Sequence, residues 1–204
     1  MVNVRQLRDF SKCRGEVAPR ALVGAFPLIR SIAALTFNTR ALFCAAPHHA
    51  KRRCAFALQL ARSYDVCAFE ETHGKPRLVR KHFACIRKTH FILASFCNSV
   101  DLDKNGREFV KKSSGGIVIT IKRSLLMGSP HFAVSHQELV KGRVLRVIVE
   151  TPFGRMVVVG VHNFGLTKAE MAIVEYALNC DIDSVYEDNL RNFVLLLGDF
   201  NFSK

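Results

Sequence analysis

Two carboxylates in this sequence stand where runs of apolar residues stop. Glu71 comes at the end of Val66-Cys67-Ala68-Phe69-Glu70, and Asp199 follows Val194-Leu195-Leu196-Leu197-Gly198. A charged group cannot sit deep in a core without a large desolvation cost. At the end of a buried strand it lies instead at the mouth of a cleft over a sheet, where chemistry can be done. Taken singly, each reads better as a solvated strand end, so the case rests on what accompanies them. Thiol-based metal chemistry is a poor alternative. The seven cysteines (13, 44, 54, 67, 85, 97 and 180) form no C-x-x-C pair, which argues against a zinc ribbon. Their odd number and the apolar neighbours of Cys67 and Cys97 suggest reduced, buried thiols.

The elements that must position these groups follow from periodicity. Residues 29–39 read as a strand. Residues 48–63 read as a helix, with Phe56, Leu58 and Leu60 on its apolar side and Lys51, Arg52, Arg53 and Arg62 on its polar one. Residues 66–69 form a short buried strand, and 83–97 are apolar enough for one or two more. Residues 101–106 are a polar turn. Residues 115–121 begin Gly-Gly and continue as a strand. Residues 144–150 alternate, 151–155 hold the Pro-Phe-Gly of a hairpin turn, and 156–161 return. Residues 167–187 form an amphipathic helix, with Thr167 and Glu170 at capping-box spacing. Residues 193–197 are a last buried strand. Hairpins mixed with helical crossovers indicate an α/β or α+β domain.

Read together, Phe37-Asn38-Thr39-Arg40, Glu70-Glu71-Thr72-His73 and Gly198-Asp199-Phe200-Asn201 resemble three successive motifs of the endonuclease/exonuclease/phosphatase family, in that family's order. Gly115-Gly116-Ile117-Val118-Ile119 resembles its Gly-Gly strand. The hairpin over 144–161, ending in Val161-His162-Asn163, resembles its central hairpin. G-D-F-N after a leucine-rich strand is the most specific of these signals. The nearest likeness is to the apurinic-type and retrotransposon-type endonucleases, and it covers roughly residues 29–204.

The resemblance implies a two-sheet αββα sandwich and Mg²⁺-dependent phosphodiester hydrolysis, with Mn²⁺ as an alternative ion. It implies that Glu71 is the main metal-ligating carboxylate and that Asn38 helps position the metal. Asp199 would orient or activate the attacking water, and Asn201 would bond the scissile phosphate or that water. Asn163, with His162 beside it, falls where the family contacts phosphate. Such a short list suffices, because Mg²⁺ keeps several waters and needs only one or two protein carboxylates plus the substrate phosphate.

The sequence departs from the family's pattern in two places. Glu70 stands where the family commonly has Gln, so an extra carboxylate either alters metal affinity or points away by strand alternation. No Ser-Asp-His follows Asn201. The expectation is therefore a fold incomplete at its C-terminus and an impaired hydrolase. His48, His49, His82, His90, His131 and His136 read as surface or loop residues, not as substitutes.

Charge bears on partners. The 204 residues carry a formal +13, and residues 1–63 contribute eleven Lys or Arg against two Asp or Glu. A basic surface favours polyanions, here nucleic acid, DNA before RNA. Residues 1–28 read as a basic, poorly ordered arm in preference to an organellar transit peptide, and 29–204 as the catalytic domain. No apolar run is long enough to span a membrane. The expected location is intracellular, nuclear or cytoplasmic. The competing readings are a non-catalytic remnant that binds nucleic acid, and a relative acting on another phosphoester.

Overall fold

The computed structural model describes residues 32–43, 46–97, 100–102, 108–110, 115–126, 129, 131–152, 154–163, 166–187 and 192–200. The expected arm, 1–28, and Asn201 lie outside the described residues. The chain runs β1 (Ala34–Asn38), α1 (Pro47–Ser63), β2 (Val66–Glu70), α2 (Pro76–His82), β3 (His90–Ser95), β4 (Val100–Leu102), β5 (Glu108–Val110), β6 (Ile117–Lys122), β7 (Ala133–Val140), β8 (Val144–Thr151), β9 (Gly154–His162), α3 (Lys168–Glu187) and β10 (Phe193–Asp199).

Two four-stranded sheets result, in the orders β1-β2-β6-β3 and β10-β9-β8-β7, with β4 and β5 as a separate hairpin. Strand alternation sorts the side chains. Ala68 of β2, Ile119 of β6, Val147 of β8 and Val158 of β9 are fully buried between the sheets. The valine and isoleucine side chains each contribute roughly 1.5–3 kcal/mol when taken out of water. Cys67 and Phe69 face the other way and pack under Cys54, Ala57 and Ala61 of α1 and Val79 of α2. Val157, Val159 and Val161 face Val174 of α3. The layers are therefore helix, sheet, sheet, helix, as the resemblance implies.

The capping box at α3 is present. Glu170 Oε2 accepts the Thr167 N–H at 2.7 Å, and Thr167 Oγ1 accepts the Glu170 N–H at 3.2 Å.

Several expectations need correction. Residues 83–97 are not all strand. A 3₁₀ turn at Ala84–Ile86 precedes β3, because Phe83 and Ile86 plug the helix-facing core as local turns allow. The helix α2 and the strand β7 were not expected. β7 is largely exposed, so its sequence carries little apolar alternation. β1 begins at Ala34, five residues into the span expected for it. His90 is buried rather than superficial, because its ring bridges Thr89 Oγ1 at 2.8 Å and the Ala61 carbonyl at 3.0 Å. His82 is half-buried, while His48, His49, His131 and His136 are exposed. Cys54, Cys67, Cys85, Cys97 and Cys180 are reduced thiols, and that of Cys54 donates to the Leu42 carbonyl at 3.8 Å. Cys67 is fully buried as expected, but Cys97 is half-buried.

Candidate active site

The topology collects one set of strand ends. β1 and β2 are parallel, as are β9 and β10. Asn38 closes β1, Glu71 follows β2, His162 closes β9 and Asp199 closes β10. β6 and β8 run antiparallel to β2 and β9, so Gly115-Gly116 and Arg143, which precede them, reach the same end.

Alternation alone would not deliver the Glu71 side chain to the face where the others meet. Leu195, Leu197 and Asp199 share the inter-sheet face of β10, and Met156, Val158 and His162 share that of β9. By the same count Glu71 would join Cys67 and Phe69 on the helix face. Instead it adopts a left-handed backbone, φ 51°, a conformation uncommon outside glycine and concentrated at functional sites. This redirects its carboxylate. The glycine pair makes room for the chain that follows. The carbonyls of Gly116 and Gly115 accept the N–H groups of Thr72 and His73 at 3.1 and 2.8 Å, and a Cβ on Gly116 would lie 2.5 Å from Thr72 Oγ1. Gly198 has a similar duty, since a Cβ there would meet the Val161 carbonyl oxygen at 2.1 Å.

The side chains then lock together. Asn38 Nδ2 donates to Asp199 Oδ2 at 2.7 Å, and Asn38 Oδ1 accepts the Arg40 N–H at 3.0 Å. One partner accepts and the other donates, which assigns the amide orientation. In this arrangement Asn38 acts on the site through Asp199. His162 is fully buried, with Nε2 at 3.2 Å from Glu71 Oε1 and Nδ1 at 3.0 Å from Arg143 Nη1. A guanidinium has no acceptor, so Nδ1 must be the lone-pair nitrogen and Nε2 carries the proton toward Glu71. Burial first, and then the charge of Arg143, holds the imidazole below its usual range against the opposing pull of Glu71. The contact with Glu71 is thus a hydrogen bond from a neutral ring.

Glu70 does not point away from this region. It shares the inter-sheet face of Val66 and Ala68, is fully buried, and accepts from Thr36 Oγ1 at 2.7 Å. Burial pushes its pKa up to about 8, and the charge of Asp199 adds to the rise. At neutral pH it is therefore mostly protonated and adds little negative charge to the cluster.

Of the expected residues, Asn38, Glu71, His162 and Asp199 come together. Asn163 is adjacent. Its N–H reaches the Asp199 carbonyl at 2.9 Å and its side-chain amide donates to the Phe200 carbonyl at 2.7 Å, so it holds the backbone at the end of β10. Arg143 was missed. The hairpin register held the signal: Val144 pairs with Val161, which sets Arg143 opposite His162.

Glu71, His162 and Asp199 each present a ligand-type atom, all within 4.8 Å of one another. Two half-exposed carboxylates supply the hard oxygen donors that Mg²⁺ takes. His162, with its proton on Nε2, serves as a donor that steadies Glu71. The residues fit a hard divalent ion held by Glu71, with the Asp199 carboxylate beside it.

No protein-family model matches the chain, and no curated protein does. Solved structures share its architecture, which is the fold of the endonuclease/exonuclease/phosphatase proteins. A truncated TDP2 from Caenorhabditis elegans aligns with a TM-score of 0.51 at 11% identity, over 84% of this chain and 63% of that one. The AP endonuclease LMAP from Leishmania major aligns at 0.52 with 17% identity, over 82% and 54%. An endonuclease/exonuclease/phosphatase family protein from Bacteroides thetaiotaomicron aligns at 0.52 with 10% identity, over 85% and 64%. The chain spans somewhat over half of the length of these structures.

Proposed function

We propose that this chain carries a metal-assisted phosphodiesterase site of the endonuclease type, acting on nucleic acid. The observation that supports this most is the convergence of Asn38, Glu71, His162 and Asp199 from four strand ends onto one half-exposed cluster. The basic surplus of the sequence favours a polyanionic substrate, with DNA before RNA.

A hard divalent ion bound there, Mg²⁺ or Mn²⁺, neutralises phosphate charge and stabilises the leaving oxygen. Glu71 would hold that ion, its carboxylate steadied by the His162 Nε2–H. Asp199, oriented by Asn38, accepts a proton from the water whose oxygen bonds to phosphorus. The ester P–O bond breaks, leaving a phosphomonoester and a hydroxyl. Asn201 would bond the phosphate, with Asn163 holding the Asp199 and Phe200 backbone. The 204 residues contain no Ser-Asp-His.

Nicking of supercoiled plasmid and cleavage at an abasic site test the reading, with Asp199→Ala as the control for contaminating nuclease. Mg²⁺-dependent cleavage lost in Asp199→Ala is expected. Calorimetric Mg²⁺ binding equal in wild type and Glu71→Gln would reject Glu71 as a ligand and the reading with it.

A further inference from the structure

A groove of about 630 Å³ opens beside Asn38, between β1 and α1. Its walls carry Arg40, Arg52 and Arg53 and the rings of Phe37 and Phe56, and among the described residues no acidic one lines it. Indeed α1 contains no Asp or Glu at all. Phe37 and Phe56 are 37% and 47% exposed, and their rings meet at 5.5 Å between centroids with an interplanar angle of 67°. Two large apolar rings facing water beside three cations match a ligand that is both flat and anionic.

The loop that carries Arg40 is held in place. Arg40 and Ala41 both have left-handed backbones, φ 45° and 70°. The Arg53 guanidinium donates to the carbonyls of both residues, and the Ala41 N–H reaches the Glu71 carbonyl at 2.7 Å. Non-glycine residues in this region are strained and persist only where the surroundings enforce them. Arg53 thus fixes the loop, leaving Arg40 and Arg52 exposed to meet phosphates. Asn38 belongs to both places, because it lines the groove and donates to Asp199.

We propose that this groove binds an unpaired stretch of the nucleic acid next to the scissile phosphate, with phosphates on Arg40 and Arg52 and a base against Phe37 and Phe56. The proposal rests on the phosphodiesterase reading above and names the form of substrate that the site prefers. A base inside a duplex has both faces covered by its neighbours, so only a single-stranded or splayed-out segment can offer a face to these rings. Basic grooves with aromatic platforms bind single strands with little sequence preference for the same reason.

The test is fluorescence anisotropy of the full 204-residue chain without divalent ions, using a labelled single-stranded oligonucleotide, its duplex, and a base-free strand of the same phosphate number. The single strand is expected to bind tightest. Phe56→Ala should weaken it by about 5- to 150-fold while leaving the base-free strand unchanged, and Phe56→Tyr should restore it. Arg40→Ala and Arg52→Ala should each flatten the slope of log K against log salt by about 0.7, whereas Arg80→Ala on α2 should not. Because Phe56 is exposed, thermal melting should show Phe56→Ala folded. Equal binding of all three ligands, or no effect of Phe56→Ala, would overturn the proposal. Since the assay needs no cleavage, such a failure leaves the hydrolytic reading standing, and absent cleavage with intact stacking would do the reverse.

Discussion

The amide of Asn38 donates to the carboxylate of Asp199 over 2.7 Å, joining residues 161 positions apart in the chain. One ends the first strand and the other ends the last, so the bond also ties the open edges of two different sheets together. Asn38→Ala removes this donor from Asp199. Outer partners of this kind typically contribute 10- to 100-fold in metal affinity or activity, and a loss of about that size is expected in calorimetric Mg²⁺ titrations. An unchanged isotherm would show that this bond does not position the site.

Arg143 should decide the tautomer of His162. In the wild type, ring ¹⁵N resonances are expected to show the proton on Nε2, because Arg143 can only donate to Nδ1. Arg143→Met removes that donor and should yield a mixture of tautomers, with Mg²⁺ affinity falling about tenfold or more. Arg143→Lys keeps a donor and should recover part of both. Identical spectra for wild type and Arg143→Met would remove Arg143 from its positioning role.

Asp181 of α3 is almost wholly buried, and Arg146 of β8 clasps both of its carboxylate oxygens, with Arg155 of β9 at 3.6 Å. Removing one partner of a buried pair leaves the other uncompensated, at a cost of about 3–5 kcal/mol. Asp181→Ala should lose about that much in urea unfolding. The double substitution Asp181→Leu with Arg146→Met should recover most of it, since an apolar pair avoids the desolvation of both charges.

Glu70 predicts a pH dependence of stability. Its folded pKa of about 8 lies above the ordinary 4.5, so the folded state binds the extra proton. The contribution is therefore present in full below the unfolded value and is lost as pH rises toward 8. Melting temperature measured from pH 5 to pH 8 should fall more steeply in wild type than in Glu70→Gln, whose amide has no proton to lose. Parallel curves for the two would mean that Glu70 is already ionised in the fold.

Cys67 offers an independent check on packing. Burial pushes its thiol up to about 12, and the thiolate is the reactive form. In the native protein at pH 8, alkylation should modify the exposed Cys85 and Cys180 long before Cys67. Early labelling of Cys67 would indicate that α1 opens readily from the sheet.

Local pattern carried much of this protein. The alternation over 144–161 wrote a hairpin whose inward residues are the core residues of β8 and β9, because a half-buried strand must put every second side chain in one layer. The Thr167–Glu170 spacing wrote the start of α3, since four helix N–H groups need partners near in sequence. The carboxylates at the ends of buried strands were legible for a similar reason: charge stays out of cores. What lay beyond the sequence depended on neighbours distant in the chain. The left-handed turn at Glu71 reverses the face that alternation assigns, and the residues that follow it are held by the Gly116 and Gly115 carbonyls just before β6, which take the Thr72 and His73 N–H groups. The protonated state of Glu70 depends on the layer that buries it. The histidine tautomer depends on Arg143, nineteen residues away, and the pairing of Asn38 with Asp199 depends on two sheets meeting at one edge. Periodicity reports which face of an element is wet. Only the packed sheets decide which of those faces meet, and with that which proton sits on which atom.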